Sequence, residues 1–133
     1  MRLKVRRVYG RRAEGRLLVS SEPISFLGGV EPESGRVVER SHPLHGQSIA
    51  GVLLVLPHTK GSSVGCYVMY SLARHGTAPA GIVAELADEM LVSGAVISEI
   101  PLGVCEGAAG RLSELSGRRA VLELTRGYLE VRR

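Results

Sequence analysis

A nearly continuous apolar run at residues 49–56 constrains the fold of this chain more than any other feature of its sequence. The length of the run and its β-branched side chains are typical of a strand that is buried on both faces, as in the centre of a parallel sheet. Pro57 ends the run, because proline has no backbone N–H to donate to a sheet. The sequence therefore predicts a central strand that stops at Pro57.

A helix is predicted to follow this strand, with Ser62 and Ser63 at its beginning. A first helical turn has unpaired backbone N–H groups and carries the positive end of the helix dipole. It can therefore hold a carboxylate or a phosphate, or stabilise a serine oxygen that is losing its proton. Apolar residues four positions apart predict one buried stripe, and a glycine followed by a proline predicts the helix end. These residues are Val64, Val68, Leu72, Gly76 and Pro79.

Lys60 and Gly61 directly precede the serine pair and favour an anion site. The lysine adds a cation, and the glycine lets a ligand approach the backbone closely. A purely structural role stands beside this hypothesis, since serine is a preferred residue at the start of a helix. The segment is not a Walker A loop, because its lysine precedes a lone glycine, and nucleotide hydrolysis is therefore disfavoured.

The length and the cysteine count restrict the class of protein further. A chain of 133 residues with 44% hydrophobic side chains is predicted to form one domain over residues 1–133. Two cysteines, Cys66 and Cys105, cannot supply an iron–sulfur cluster, so any cluster belongs to a partner. The apolar runs are too short for a membrane span and no secretory signal follows the basic start, so a cytoplasmic location is expected.

Charge and histidine placement give no further site. The formal net charge is +4, but the basic residues concentrate at the two ends of the chain. With one Phe, four Tyr and no Trp, a stacking platform for nucleic acid is poorly supplied, and no nucleic-acid partner is expected. His42 and His45 have a ligand-like gap, but the proline between them and the lack of matching ligands favour a surface loop over a zinc site.

Period-two alternation and turn residues organise the rest of the chain. Residues 2–8 and 13–19 are predicted to be antiparallel strands joined by a turn at 10–12. Gly28 and Gly29 either permit positive φ angles or let backbone amides approach a ligand. Further expected elements are short strands at 35–39, 81–84 and 95–97, a short helix at 88–92 that Gly94 stops, and a hairpin formed by 119–124 and 128–131. This order predicts a mixed α/β sheet with crossover helices.

Several motifs together resemble the small subunit of the aconitase X family, over about residues 17–103. The motifs are Ser25-Phe26-Leu27-Gly28-Gly29-Val30, Gly35, His42-Pro43, Gly46, Lys60-Gly61-Ser62-Ser63, Gly76-x-x-Pro79 and Gly94-Ala95. The family often has an aromatic residue where this chain has Leu27. The resemblance implies a swivelling β/β/α domain. It also implies a heterodimer or a larger assembly in which a large subunit carries an iron–sulfur cluster. A 4Fe–4S cluster is expected, but the sequence does not decide between three-iron and four-iron clusters.

The same resemblance implies an activity and roles for individual residues. The activity is removal of water from 5-phosphomevalonate, which gives trans-anhydromevalonate 5-phosphate in a mevalonate-type route to isoprenoids. Ser62 matches the serine base of aconitase-type dehydration, with Ser63 as the second candidate. Substrate contacts are expected from Lys60, Gly61, Ser63, Gly28 and Gly29. Two alternatives remain at this point: a related dehydratase of hydroxyproline or another hydroxy acid, and a non-catalytic module that binds a small anion.

Overall fold

The computed structural model describes residues 1–132 and combines a large mixed sheet with a layer of helices. Its strands are β1 (Arg2–Lys4), β2 (Arg6–Tyr9), β3 (Arg12–Val19), β4 (Ile24–Ser25), β5 (Leu53–Leu56), β6 (Thr59–Lys60), β7 (Gly81–Ala84), β8 (Leu102–Val104), β9 (Arg119–Glu123) and β10 (Tyr128–Val131). Its helices are α1 (Phe26–Gly29), α2 (Gly65–His75), α3 (Glu89–Ser98) and α4 (Ala108–Leu112). Among residues 1–132, no helix is both long and apolar enough to cross a membrane.

Within residues 1–132, eight strands form one sheet in the order β1-β10-β9-β3-β5-β7-β8-β2. The pairs β3·β5, β5·β7 and β7·β8 are parallel, and the remaining pairs are antiparallel. β1 and β2 lie at opposite ends of this order, although only Val5 separates them in the chain. The two ends of the sheet must therefore meet, and the sheet closes on itself. Closure protects both edges from pairing with another chain.

The central strand predicted before Pro57 is confirmed as β5, which is buried on both faces. Leu53 and Val55 point into the closed sheet, whereas Leu54 and Leu56 contribute to a second core under the helices. All four side chains are fully buried. The regular strand is shorter than the predicted 49–56, because the chain turns at residues 50–51 before it enters the sheet.

The crossover helices are confirmed: α2 joins β5 to β7, and α3 joins β7 to β8. Both pack against the outer face of the parallel strands through Met69, Leu72 and Leu91. Helix α4, which was not predicted, closes the interior of the sheet with Ala108 and Leu112. The predicted hairpin at the C-terminal end is confirmed as the antiparallel pair β9·β10.

The predicted N-terminal hairpin is wrong. Residues 2–8 form two strands rather than one, and neither pairs with β3: β1 pairs with β10 and β2 pairs with β8. The sequence pattern identified which residues are extended, but it contains no information on which strand each one meets. The short strand predicted at 35–39 is also wrong, because only the isolated bridges Val30↔Val37 and Arg36↔Ser48 form there.

The predicted break at Gly94 is wrong as well. Helix α3 starts as expected at Asp88, whose side chain accepts a hydrogen bond from the Leu91 N–H at 2.9 Å. It then continues through Gly94, so residues 95–97 are helical rather than extended. A Cβ at Gly94 would lie 3.3 Å from the Cα of Cys66 in α2 and would contact Met69. The glycine therefore permits close helix packing and does not end the helix.

Gly15 in β3 gives a test of the packing between the sheet and the loop before β5. A Cβ at this position would lie 2.7 Å from the backbone oxygen of Gly51, so Gly15→Ala should reduce the free energy of unfolding by about 1–3 kcal/mol. Gly110→Ala is the control, since no atom lies within 4 Å of the added methyl group. In helix α4 that substitution should be neutral or stabilising by up to about 1 kcal/mol. Denaturant unfolding of both variants measures the difference, and equal effects would contradict the assigned close approach.

Candidate functional site

A small parallel sheet of β4 and β6 supports the segment that the sequence singled out. Ile24 pairs with Thr59, and Ser25 pairs with Lys60. Ile24 and Thr59 are buried, and the Thr59 Oγ1 lies 3.4 Å from the carboxylate of Asp88 at the start of α3. One end of the segment is thus anchored in the core, which leaves Lys60 exposed at the edge.

A depression of about 330 Å³ lies beside this small sheet. Four residues predicted to contact a ligand line it together. They belong to two segments that are distant in the chain, and the pairing of β4 with β6 brings them together. The lining residues are Ser25, Leu27, Gly28, Gly29, Glu39, Lys60 and Gly61.

Two glycines of this pocket have backbone conformations that other residues rarely adopt. Gly28 has φ +85° and Gly61 has φ +92°. A Cβ on Gly61 would overlap the Oγ of Ser25, which donates a hydrogen bond to the Leu27 carbonyl oxygen at 2.9 Å. Gly28 has open space instead. A side chain at position 61 would therefore both strain the backbone and overlap Ser25, whereas a side chain at position 28 would only strain the backbone.

Glu39 is a pocket residue that sequence reasoning missed. Its Oε2 lies 3.1 Å from the Nζ of Lys60, although the two residues are 21 positions apart. The hydrogen bond from Lys60 is the largest cause that lowers the pKa of the Glu39 carboxyl below its usual range. No local pattern could have found this contact, because the loop that carries Glu39 has no regular structure to predict its path.

Ser62 and Ser63 lie in a turn before α2, which we call the serine turn, and they do not cap the helix as expected. The helix begins at Gly65, with Val64 as its first flanking residue and no side-chain cap. The Ser62 Oγ instead accepts a hydrogen bond from the Val64 N–H at 3.2 Å. The buried face of α2 is formed by Gly65, Met69 and Leu72. It therefore does not begin at the predicted Val64, which is exposed.

Two backbone N–H groups of this turn have no hydrogen-bond acceptor among the described residues. Both serine side chains are exposed. Within residues 1–132, the backbone N–H groups of Ser62 and Ser63 donate to no protein acceptor. They directly follow Gly61 in the chain, but neither serine is among the residues that line the depression. Such backbone donors favour a carboxylate or a phosphate.

His42 is not on a surface loop, as the sequence suggested, but is buried. Its Nδ1 accepts a hydrogen bond from the Leu44 N–H at 3.0 Å, and its Nε2 lies 3.1 Å from the carbonyl oxygen of Pro23. Both ring nitrogens are thus used to anchor the loop that carries Glu39. His45 is exposed and does not join them.

The cysteines do not form a cluster site. Cys66 lies in α2, whereas Cys105 follows β8 and is buried. Burial raises the pKa of the Cys105 thiol, which disfavours the thiolate that a metal requires. Among the described residues, no group of three or more His, Cys, Asp or Glu side chains is placed to hold a metal ion. Residues 1–132 therefore do not provide the ligands for an iron–sulfur cluster.

A closed sheet covered on one side by crossover helices, with a depression beside the small β4·β6 sheet, is the architecture of a β/β/α swivelling domain. The family model of the aconitase X swivel domain matches residues 2–131. The chain belongs to this family. Its fold agrees with the crystal structure of Thermococcus kodakaraensis aconitase X in the holo-form. The TM-score is 0.90, with 40% sequence identity, and the match covers 100% of this chain and 99% of the other.

Curated relatives match over nearly the whole chain. The phosphomevalonate dehydratase small subunit of Thermococcus onnurineus is 43% identical over 132 residues, which covers 98% of each chain. The protein of the same name from Methanothrix thermoacetophila is 43% identical over 137 residues, which covers 98% of this chain and 100% of the relative. The resemblance inferred from the motifs is therefore confirmed.

Proposed function

We propose that this chain is the small subunit of a phosphomevalonate dehydratase. In this proposal it forms a heterodimer with a large subunit that carries a 4Fe–4S cluster. The complex removes water from 5-phosphomevalonate and gives trans-anhydromevalonate 5-phosphate. The observation that carries the proposal is the 43% identity to relatives of that name over 98% of the chain.

The pocket supports a small anionic substrate. Lys60 of the pocket lining supplies a positive charge, and the unpaired N–H groups of Ser62 and Ser63, which follow Gly61 in the chain, are further available donors. Gly28, Gly29 and Gly61 present no side chains, so an anion can lie directly against the backbone. We assign these residues to substrate binding, because a phosphate or a carboxylate needs several donors around a cation.

We assign the role of general base to Ser62. A serine hydroxyl is a weak base, and it needs groups that stabilise its oxygen when the proton is lost. The Val64 N–H already donates to the Ser62 Oγ at 3.2 Å, and Lys60 lies two residues earlier. In the proposed reaction the Ser62 oxygen accepts the proton from the carbon adjacent to the one that carries the departing hydroxyl, and the double bond forms between these two carbons. The cluster, when bound on the large subunit, supplies a Lewis acid for the departing hydroxyl.

The exposure of Ser62 supports a requirement for a partner. An oxygen in open water gains little from nearby donors, because water screens them. Exposed apolar side chains lie in or near the pocket segments, as expected for a surface that another protein covers. They are Leu27, Val64 and Tyr67, whose exposed fractions are 48%, 44% and 67%. Contact with the large subunit would exclude water from the serine turn.

Reconstitution tests this proposal. The chain purified alone should show neither iron–sulfur absorption nor dehydratase activity, because it lacks a cluster site and its serine is open to water. Both should be present after mixing with the large subunit. Assays with 5-phosphomevalonate and with hydroxyproline distinguish the two substrate classes. Activity from the isolated chain would contradict the two-subunit proposal, and activity on hydroxyproline alone would contradict the substrate.

A further inference from the structure

The cation of the pocket already has an anionic partner from the chain itself. Among the residues that line the pocket, Lys60 is the basic side chain and Glu39 is the acidic one, and their charged atoms are 3.1 Å apart. An incoming anion must therefore approach a lysine whose charge is paired. It must also enter a space that a carboxylate lines.

Glu39 is held at this position by its backbone. The Val38 N–H donates to the carbonyl oxygen of Gly29 at 2.9 Å, and the His42 N–H donates to the carbonyl oxygen of Glu39 at 3.1 Å. His42 itself is buried and uses both ring nitrogens in hydrogen bonds. Since Gly29 is part of the pocket, the first of these bonds ties the acidic residue directly to the site. The backbone of Glu39 is thus held where its carboxylate reaches Lys60.

The pair is close but open to solvent. The side chains of Lys60 and Glu39 remain 45% and 28% exposed. Ion pairs of this kind contribute little free energy, so a well-placed anion can displace the carboxylate. The displacement costs the same whichever anion enters. The pair therefore lowers the affinity of every anion by the same small factor, and a doubly charged phosphate group that gains from Lys60 and the serine turn still replaces Glu39.

From this geometry we propose that Glu39 is an internal competitor for the substrate-anion site of Lys60, and that the phosphate group of the substrate takes its place on binding. The inference rests on the proposed function for the identity of the substrate, but the competition itself does not. Glu39 in this role determines how tightly the pocket holds an anion. It takes no part in proton transfer.

Titration of the full chain with inorganic phosphate tests the competition. The amide signals of Gly28, Gly29 and Gly61 report on the pocket by nuclear magnetic resonance. Glu39→Gln should bind phosphate roughly twofold to fivefold more tightly than the unsubstituted chain. Glu33→Gln is the matched control: it removes the same charge from an exposed residue of the same loop that has no ion pair in the described structure, and it should leave the affinity unchanged.

A double-mutant cycle separates competition from general charge repulsion. In the Lys60→Gln background, Glu39→Gln should produce a smaller gain, because no lysine remains for the carboxylate to occupy. An equal gain in both backgrounds would overturn the competition. Unchanged or weaker phosphate binding by Glu39→Gln would overturn it too, since Glu39 would then position Lys60. Pocket signals that fail to respond to phosphate in every variant would have the same consequence.

Steady-state kinetics of the reconstituted enzyme provide an independent test of this role of Glu39. Glu39→Gln should lower KM for the phosphorylated substrate by a similar factor. It should leave kcat nearly unchanged, because the substitution affects binding of the substrate and of the transition state equally. A lower kcat with the same KM would contradict the proposal. If the complex proves to have no dehydratase activity, the proposed function fails while the phosphate titration still decides the role of Glu39.

Discussion

Ser62→Ala should lower the turnover of the reconstituted enzyme by roughly two to four orders of magnitude, the usual range for a positioned acid–base group. In the proposed mechanism, the substitution removes the oxygen that accepts the substrate proton. It leaves Lys60, Gly61 and the backbone donors of the turn in place. Substrate binding should therefore change much less than turnover. Steady-state kinetics of the complex with 5-phosphomevalonate measures both quantities.

Stability should separate this chemical role from a structural one. The Ser62 side chain accepts one exposed hydrogen bond from the Val64 N–H, so its loss should cost no more than about 1 kcal/mol. Ser63→Ala is the matched control, because Ser63 is the adjacent exposed serine and its hydroxyl has no partner within residues 1–132. It should reduce turnover far less. A folded, partner-bound Ser62→Ala enzyme with near-normal turnover would falsify the assignment and favour Ser63 or the large subunit as the source of the base.

Gly61→Ala should disrupt anion binding more than any other single methyl group in the pocket. The added Cβ would overlap the Ser25 Oγ, and the φ of +92° is strained for alanine. Relief of the overlap must rotate the Ser25 hydroxyl away from the Leu27 carbonyl oxygen or shift β4 against β6, and either change alters the pocket lining around Gly28 and Gly29. We expect KM for the phosphorylated substrate to rise by about tenfold or more, and the free energy of unfolding to fall by about 1–3 kcal/mol.

Gly46→Ala is the control for the effect of backbone strain alone. Gly46 has φ +85° and no atom within 4 Å of an added Cβ, and it lies outside the pocket lining. In Gly46→Ala, backbone strain should lower the free energy of unfolding by about 1 kcal/mol, and KM should not change. Phosphate titration of the two chains gives the same comparison without the large subunit. Equal KM values for Gly61→Ala and the unsubstituted enzyme would show that the small sheet does not position the site.

The residues around the serine turn show which parts of the candidate site could be predicted from the sequence. Lys60 and Gly61 were predicted to lie after a buried strand and before a helix, and the structure places them there. The link to Gly28 and Gly29 came from the family resemblance, since no local pattern connects the two segments. The exact start of α2 was wrong because a serine pair is equally compatible with a cap and with the preceding turn. The catalytic and binding roles of these residues stay predictions until the variants are measured.

The sequence by itself determined the elements whose signals are local: the buried strand that ends at Pro57, the two crossover helices and the C-terminal hairpin. Hydrophobic period and turn residues act over a few positions, so one chain is enough to recognise them. Only the tertiary structure decided the rest. Division of the first strand at Val5 depends on closure of the sheet, and continuation of α3 through Gly94 depends on the approach of Cys66 and Met69 in α2. The Glu39–Lys60 contact likewise depends on a loop anchored by buried His42. Such contacts form between segments distant in the chain, and their free energy comes from packing and hydrogen bonds that no local pattern encodes.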